Sequence, residues 1–257
     1  MGVFRLGQVM FLVALAGIGV LSLIFNDFAL VWQPYPAWLP WRAVFAQLSG
    51  TLLLLACVAV LIPRTGAVSA MVLAIYESFW VLMRGTPVLS APLNVGAWLG
   101  LGEALAACLG GWLLWRTLRQ RPNIAAPPLR ILFGLCCASF GLSHFAYADF
   151  TASMIPSWLP AHAALAYLSG AGHLAAGLAL IGGVLPRAAA TLEALMLTSI
   201  VLLVHVPSIG ARPPLEWAPT ARLQWTALCM ALVLAASAWL LASALQRRPW
   251  IELRLPR

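Results

Sequence analysis

Apolar residues run through this chain in long blocks, and the polar positions fall mainly between them. Eight blocks, at roughly 7–28, 43–62, 66–83, 95–115, 130–148, 163–185, 188–206 and 222–245, are long enough to be membrane-spanning helices. About 20 helical residues rise roughly 30 Å, the thickness of the hydrocarbon layer. Residues 7–25, preceded by Arg5, resemble the apolar region of a signal peptide. However, the run approaches a full span and Asn26-Asp27-Phe28 lacks a small-residue cleavage pattern, so it reads as the first helix.

The blocks are organised around a repeat. Pro36-Ala-Trp-Leu-Pro40-Trp-Arg-Ala-Val-Phe-Ala-Gln-Leu-Ser-Gly50 returns as Pro156-Ser-Trp-Leu-Pro160-Ala-His-Ala-Ala-Leu-Ala-Tyr-Leu-Ser-Gly170, identical at nine of fifteen positions with a constant offset of 120. The expected architecture is all-α and integral to the membrane, with eight helices in two four-helix repeats. The boundaries are 1–116, a linker at 117–129 rich in Arg and Pro, and 130–257. Four helices per copy is an even number, so both copies enter the bilayer the same way round and the repeats are parallel. The tight connections Pro63-Arg64 and Pro186-Arg187 make the second and third helices of each copy antiparallel neighbours. The segments 29–42 and 149–162 hold Trp32, Trp38, Trp41 and Trp158 among prolines, a composition suited to lying across the headgroup layer.

Composition agrees with the pattern: 63% of residues are hydrophobic, 9% are charged, and mean hydropathy is +0.94. That leaves too little polar surface for a water-soluble chain. The net charge of +8 comes from fifteen basic residues, all arginine. They lie mainly between the apolar blocks and form no aromatic-interleaved face, so no nucleic-acid partner is expected. Eleven arginines fall on one side of the membrane and four, Arg42, Arg84, Arg212 and Arg222, on the other. The positive-inside rule then places both termini in the cytoplasm, in a bacterial inner membrane. The five cysteines lie inside apolar blocks without a C-x-x-C spacing and read as small buried hydrophobes.

Candidate chemistry is confined mostly to the second copy, which holds all four histidines, His144, His162, His173 and His205. Through the repeat, His162 corresponds to Arg42, His173 to Leu53 and His144 to about Ser22. His173, eleven residues into its helix, sits on the order of 16 Å below His162, near the bilayer centre. Ionisable groups at that depth are ligand-binding or proton-handling candidates. His173, His144 and His205 are therefore singled out, with Ser169 one turn from His173 as its hydrogen-bond partner. Glu77 lies near mid-membrane with no obvious basic partner in its own helix, and Glu193, about two turns from the cytoplasmic end, is placed to snorkel or to pair with Arg187. A strip of small residues, Ser169, Gly172, Ala176, Ala179 and Gly183, offers a face for close helix packing. No phosphate-binding, dinucleotide, zinc-protease or haem-attachment motif is present.

Gly141-Leu-Ser-His144-Phe, Ile155-Pro-Ser-Trp-Leu-Pro160, Tyr167-Leu-Ser-Gly170-Ala, Arg187-Ala-Ala and Leu203-Val-His205 resemble the DoxX-like family of small bacterial membrane proteins. The resemblance covers roughly 130–245, and more faintly 11–115, where Leu21-Ser22 replaces Ser143-His144. It implies a four-helix fold and an association with membrane redox chemistry, including thiosulfate:quinone oxidoreductase subunits. Two functions follow as expectations. One is a non-enzymatic binding, transport or assembly component that holds a lipid or apolar small molecule. The alternative is an oxidoreductase-type subunit, working with redox partner subunits, that binds quinone or haem through the second-copy histidines. The residues name no metal and no catalytic group.

Overall fold

The computed structural model describes residues 2–36, 38, 40–119, 127–212, 215–246 and 248–250. Among these the regular elements are helices, joined by turns and loops, with one isolated bridge between Leu215 and Ala218. Eight helices are long and apolar enough to cross a membrane. They are α1 (Gly2–Phe25), α2 (Arg42–Val60), α3 (Gly66–Ser90), α4 (Val95–Leu118), α5 (Pro127–Ala146), α7 (His162–Gly182), α8 (Pro186–Ser208) and α9 (Ala221–Ala244). The protein is an all-α membrane protein. A short helix not anticipated from the apolar pattern, α6 (Ala148–Met154), lies between α5 and α7, with Asp149 in its first turn. Most of the expected linker, 120–126, lies outside the described residues, as do Arg121, Arg247, Arg254 and Arg257 of the arginine count.

Two spans extend or bend where proline would be expected to end them. α3 continues to Ser90 with Pro87 inside it. Proline lacks the N–H that would take the carbonyl four residues back, and here the Thr86 hydroxyl donates to Met83 O at 2.9 Å instead. In α8 the backbone widens to a π-turn over Val201–His205 just before Pro207. Such a turn accommodates a proline within a continuing helix.

The most buried helices are α9 and α4, with 72% and 61% of their apolar windows inside the protein, against 33% for α2 and α7. α9 packs on α1, α4 and α8, and α4 on α3 and α5, so α4, α9 and their neighbours form the seam between the two halves. The five cysteines are buried and unpaired. In each half the first two spans cross at backbone contact. A Cβ on Gly19 would lie 2.8 Å from Gly50 O, and one on Gly141 would lie 2.7 Å from Gly170 O. Gly50 and Gly170 are separated by 170 − 50 = 120 residues, the offset of the sequence repeat.

One ion cluster ties the halves together at the membrane edge. Asp27, two residues beyond α1, accepts from Arg42 Nε at 2.5 Å and from Arg222 Nη2 at 2.9 Å. Arg222, at the start of α9, also donates to Phe28 O at 2.8 Å. Burial pushes the Asp27 carboxyl up. The hydrogen bonds from Arg42, Arg222 and the Phe28 N–H outweigh it, and the net shift is below the ordinary carboxylate value. A depressed folded value stabilises the protein above the unfolded value of about 3.9, and that contribution is lost as pH falls through the folded value. Asp27→Asn is therefore expected to lower stability at pH 7 by roughly 1–2 kcal/mol. In thermal unfolding in detergent, its difference from the parent should shrink as the pH is lowered towards 3.

Candidate functional site

The α5–α7 crossing is the scaffold on which the site is built. Besides Gly141 and Gly170, a second glycine pair lies one and a half to two turns away, where a Cβ on Gly134 would meet Gly177 O at 2.8 Å and one on Gly177 would meet Gly134 O at 2.7 Å. Helices this close bring short side chains into direct contact across the interface. A Cβ on Gly170 would lie 2.8 Å from His144 Cβ, so Gly170 leaves the space His144 occupies. The expected small-residue strip is distributed around this contact: Gly172 faces Met196 of α8, Ala176 is buried and Ala179 partly so. Gly183 ends α7 at φ 71°, beside the Arg130 guanidinium. The closest backbone contacts belong to Gly170 and Gly177, the neighbours of the strip's members.

Four polar side chains meet at this crossing. His144 Nδ1 lies 2.8 Å from Ser169 Oγ and 3.4 Å from Ala166 O. Ser169 Oγ itself donates to Ala166 O at 3.0 Å. A carbonyl can only accept, and the Ser169 proton is already engaged. Nδ1 of His144 is therefore assigned as the N–H, and in the neutral ring Nε2 is an acceptor. The His173 ring stands 5.1 Å from that of His144, nearly perpendicular at 71°, with Phe140 against its other side at 5.7 Å. His173 Nδ1 meets Glu193 Oε1 of α8 at 2.8 Å, with the two side chains 2% and 0% exposed.

The array thus runs Ser169, His144, His173, Glu193, from a half-buried imidazole to a fully enclosed ion pair or hydrogen bond. Glu193 Oε2 is buried and makes no hydrogen bond among the described residues, so the carboxyl has a spare acceptor.

Two sequence expectations are corrected. Ser169 holds His144 rather than His173, because the α5–α7 contact is closer than the helical turn that separates Ser169 from His173. Glu193 does not reach Arg187. That arginine donates to Arg248 O and stacks on the Trp250 ring at 4.0 Å, while Glu193 points inward to His173. Depth along the two helices signals this pairing. His173 lies 182 − 173 = 9 residues before the end of α7 and Glu193 lies 193 − 186 = 7 after the start of α8. Either side of one short connection, they sit at about 14 and 11 Å.

The remaining candidates stand apart. His205 is 8% exposed in the π-turn, its ring edge-on to Trp217 at 5.7 Å and its Nδ1 without a hydrogen bond among the described residues. His162 begins α7. Glu77 is buried in the first half, on α3, away from the histidine array. No group of three or more His, Cys, Asp and Glu side chains among the described residues is arranged to hold a metal ion.

No curated protein and no solved structure matches the chain. The sequence model of the DoxX family matches residues 126–206. That segment contains the α5–α7 crossing and every member of the array, His144, Ser169, His173 and Glu193. The chain is accordingly a membrane protein whose residues 126–206 match the DoxX family model.

Proposed function

We propose that the second half is a non-enzymatic binding site within the bilayer for an apolar small molecule with a hydroxyl head of the quinol type. His144 Nε2 is the group that receives the hydroxyl. The observation that carries this reading is the assignment of Nδ1–H on His144: with Nδ1 donating to Ser169 and Ala166, the free nitrogen is an acceptor and suits a donor head. His173, fixed by Glu193, stands behind it and holds the His144 ring in place through their edge contact at 5.1 Å. His144 is half-buried on a helix pair whose outer residues are apolar, which suits a ligand arriving from the lipid.

A redox-associated role uses the same site and adds a partner subunit that takes the electrons. Haem between the two histidines is disfavoured, since their rings are in contact at 5.1 Å and leave no room for a macrocycle between them. The first half is read as a degenerate copy. Its Gly19–Gly50 crossing, with Ser22 against Gly50 where His144 stands against Gly170, supports that reading. The arginine asymmetry supports an inner-membrane protein with both termini in the cytoplasm.

The test is equilibrium binding of a short-tailed alkyl benzoquinol and its oxidised quinone to the purified protein. The quinol is expected to bind more tightly, and His144→Leu to weaken it on the order of tenfold, the loss of about one hydrogen bond to a buried group. Equal binding of the quinol by the parent and by His144→Leu would remove the proposal.

A further inference from the structure

A second buried acid faces a different space. Glu77, on α3, is 6% exposed and makes no hydrogen bond to any described residue. It lines a cavity of about 20 Å³ together with Gln33, Trp80, Ile18, Met230 and Val233. By this measure roughly 10–15 Å³ accommodates one water molecule. The walls come from both halves: Ile18 and Trp80 belong to α1 and α3, Met230 and Val233 to α9. The cavity therefore lies on the seam between the halves.

The donor set around this cavity selects what it can hold. Trp80 Nε1 and Trp32 Nε1, both on the cavity wall, are buried and have no hydrogen-bond partner among the described residues, so the wall carries two unused N–H groups, of which Trp80 is on the same helix as Glu77. Gln33 is partly committed, its Oε1 accepting from Ala29 N at 2.8 Å and one N–H of its Nε2 donating to the Tyr76 hydroxyl at 2.7 Å. Ionisable side chains on the elements around Glu77 include Cys57 on α2, Tyr76 on α3 and Cys108 on α4, with Arg84 beside Gly100 of the wall and interacting with Glu103 of α4, and no described residue forms an ion pair with Glu77. A hard metal ion requires several oxygen ligands, and one carboxyl beside an indole N–H does not supply them. A neutral carboxylic acid bridged by one water to the Trp80 N–H joins the carboxyl to an unused donor on its own helix. An isolated carboxylate in this position would have no counter-charge.

We propose that Glu77 and a single water molecule form a proton-binding site at the seam, separate from the histidine array. The site consists of the Glu77 acid, the water that accepts from its hydroxyl, and the Trp80 N–H that donates to that water. Because α9 forms one wall, the packing of the halves and the occupancy of this site are linked.

The test is infrared difference spectroscopy of the full-length protein in lipid at pH 7, the parent against Glu77→Gln, which keeps size and removes the acid. The expected result is a carbonyl-stretch band of a protonated carboxylic acid that is lost in Glu77→Gln and shifts in D₂O. Trp80→Phe should move that band without abolishing it. A carboxylate band in place of the acid band would overturn the proton site. A band indifferent to Trp80→Phe would overturn the water bridge. If Glu77→Gln does not fold, Glu77→Asp, which keeps the acid and moves it by one methylene, takes its place: an acid band moved by both Glu77→Asp and Trp80→Phe supports the site, and the lack of any band that Glu77→Asp moves overturns it. His144 and its ligand enter neither measurement, so this proposal and the quinol site fail independently.

Discussion

Replacing Glu193 with alanine is expected to lower stability by roughly 3–5 kcal/mol, the range for removing one partner of a buried pair. His173 is 2% exposed and would keep its Nδ1–H with no acceptor. The loss comes from stranding that polar ring rather than from the intrinsic worth of the pair. The compensated variant separates the two effects. Through the repeat, His173 corresponds to Leu53, which is fully buried, and counting from Pro186 against Pro63 (186 − 63 = 123) Glu193 corresponds to Ala70, also fully buried. His173→Leu with Glu193→Ala places the first half's pair in the second. It is expected to recover most of the loss, to within about 1–2 kcal/mol of the parent, because apolar replacement of a buried pair is often neutral. Chemical or thermal unfolding in a fixed detergent reads both. A single Glu193→Ala as stable as the parent would mean that the pair is not enclosed as described.

The second large effect is at the glycine crossing. A Cβ on Gly177 would lie 2.7 Å from Gly134 O and 2.8 Å from Ala138 N, and both obstacles are backbone. No side-chain rotation relieves such a contact, so α5 and α7 must separate. Gly177→Leu is expected to cost at or beyond the roughly 3 kcal/mol upper end of ordinary overpacking. It should also release His144 from Ser169, two turns along the same interface. Gly182 is the internal control, because a Cβ there meets only Val184 Cγ2 at 3.9 Å. Gly182→Ala should therefore purify like the parent. Size-exclusion profiles and quinol binding of the two variants check the pair of expectations. Equal behaviour would show that the helices are not in backbone contact.

The eight spans were legible because lipid imposes an unbroken apolar run on each helix, and that signal is longer than any local exception to it. The exceptions themselves were not legible. Pro87 lies inside α3 because the Thr86 hydroxyl takes Met83 O, and a single hydroxyl carries no periodic trace in the sequence. The π-turn before Pro207 and the short α6 are similarly local. Of the site, His173 and His144 stood out because a polar ring in an apolar run is costly. Their partners did not, since Ser169 and Glu193 are assigned by contacts between helices. A search confined to one helix gives Ser169 to His173 and Glu193 to Arg187. Matching depths across the α7–α8 connection recovers the second pairing, while the first needs the α5–α7 crossing itself. The Asp27 cluster escaped for the same reason, joining residues 222 − 27 = 195 apart.

The most direct test of the histidine array as one connected binding site is ¹⁵N nuclear magnetic resonance of histidine-labelled protein in lipid, with and without a short-tailed benzoquinol. The account predicts an Nδ1–H tautomer at His144 and a strongly hydrogen-bonded Nδ1 at His173. On adding the quinol, His144 Nε2 should shift saturably, His173 should follow to a smaller extent, and His162 and His205 should stay still. Saturable binding that leaves both His144 and His173 unmoved, or an Nε2–H tautomer at His144, would contradict it.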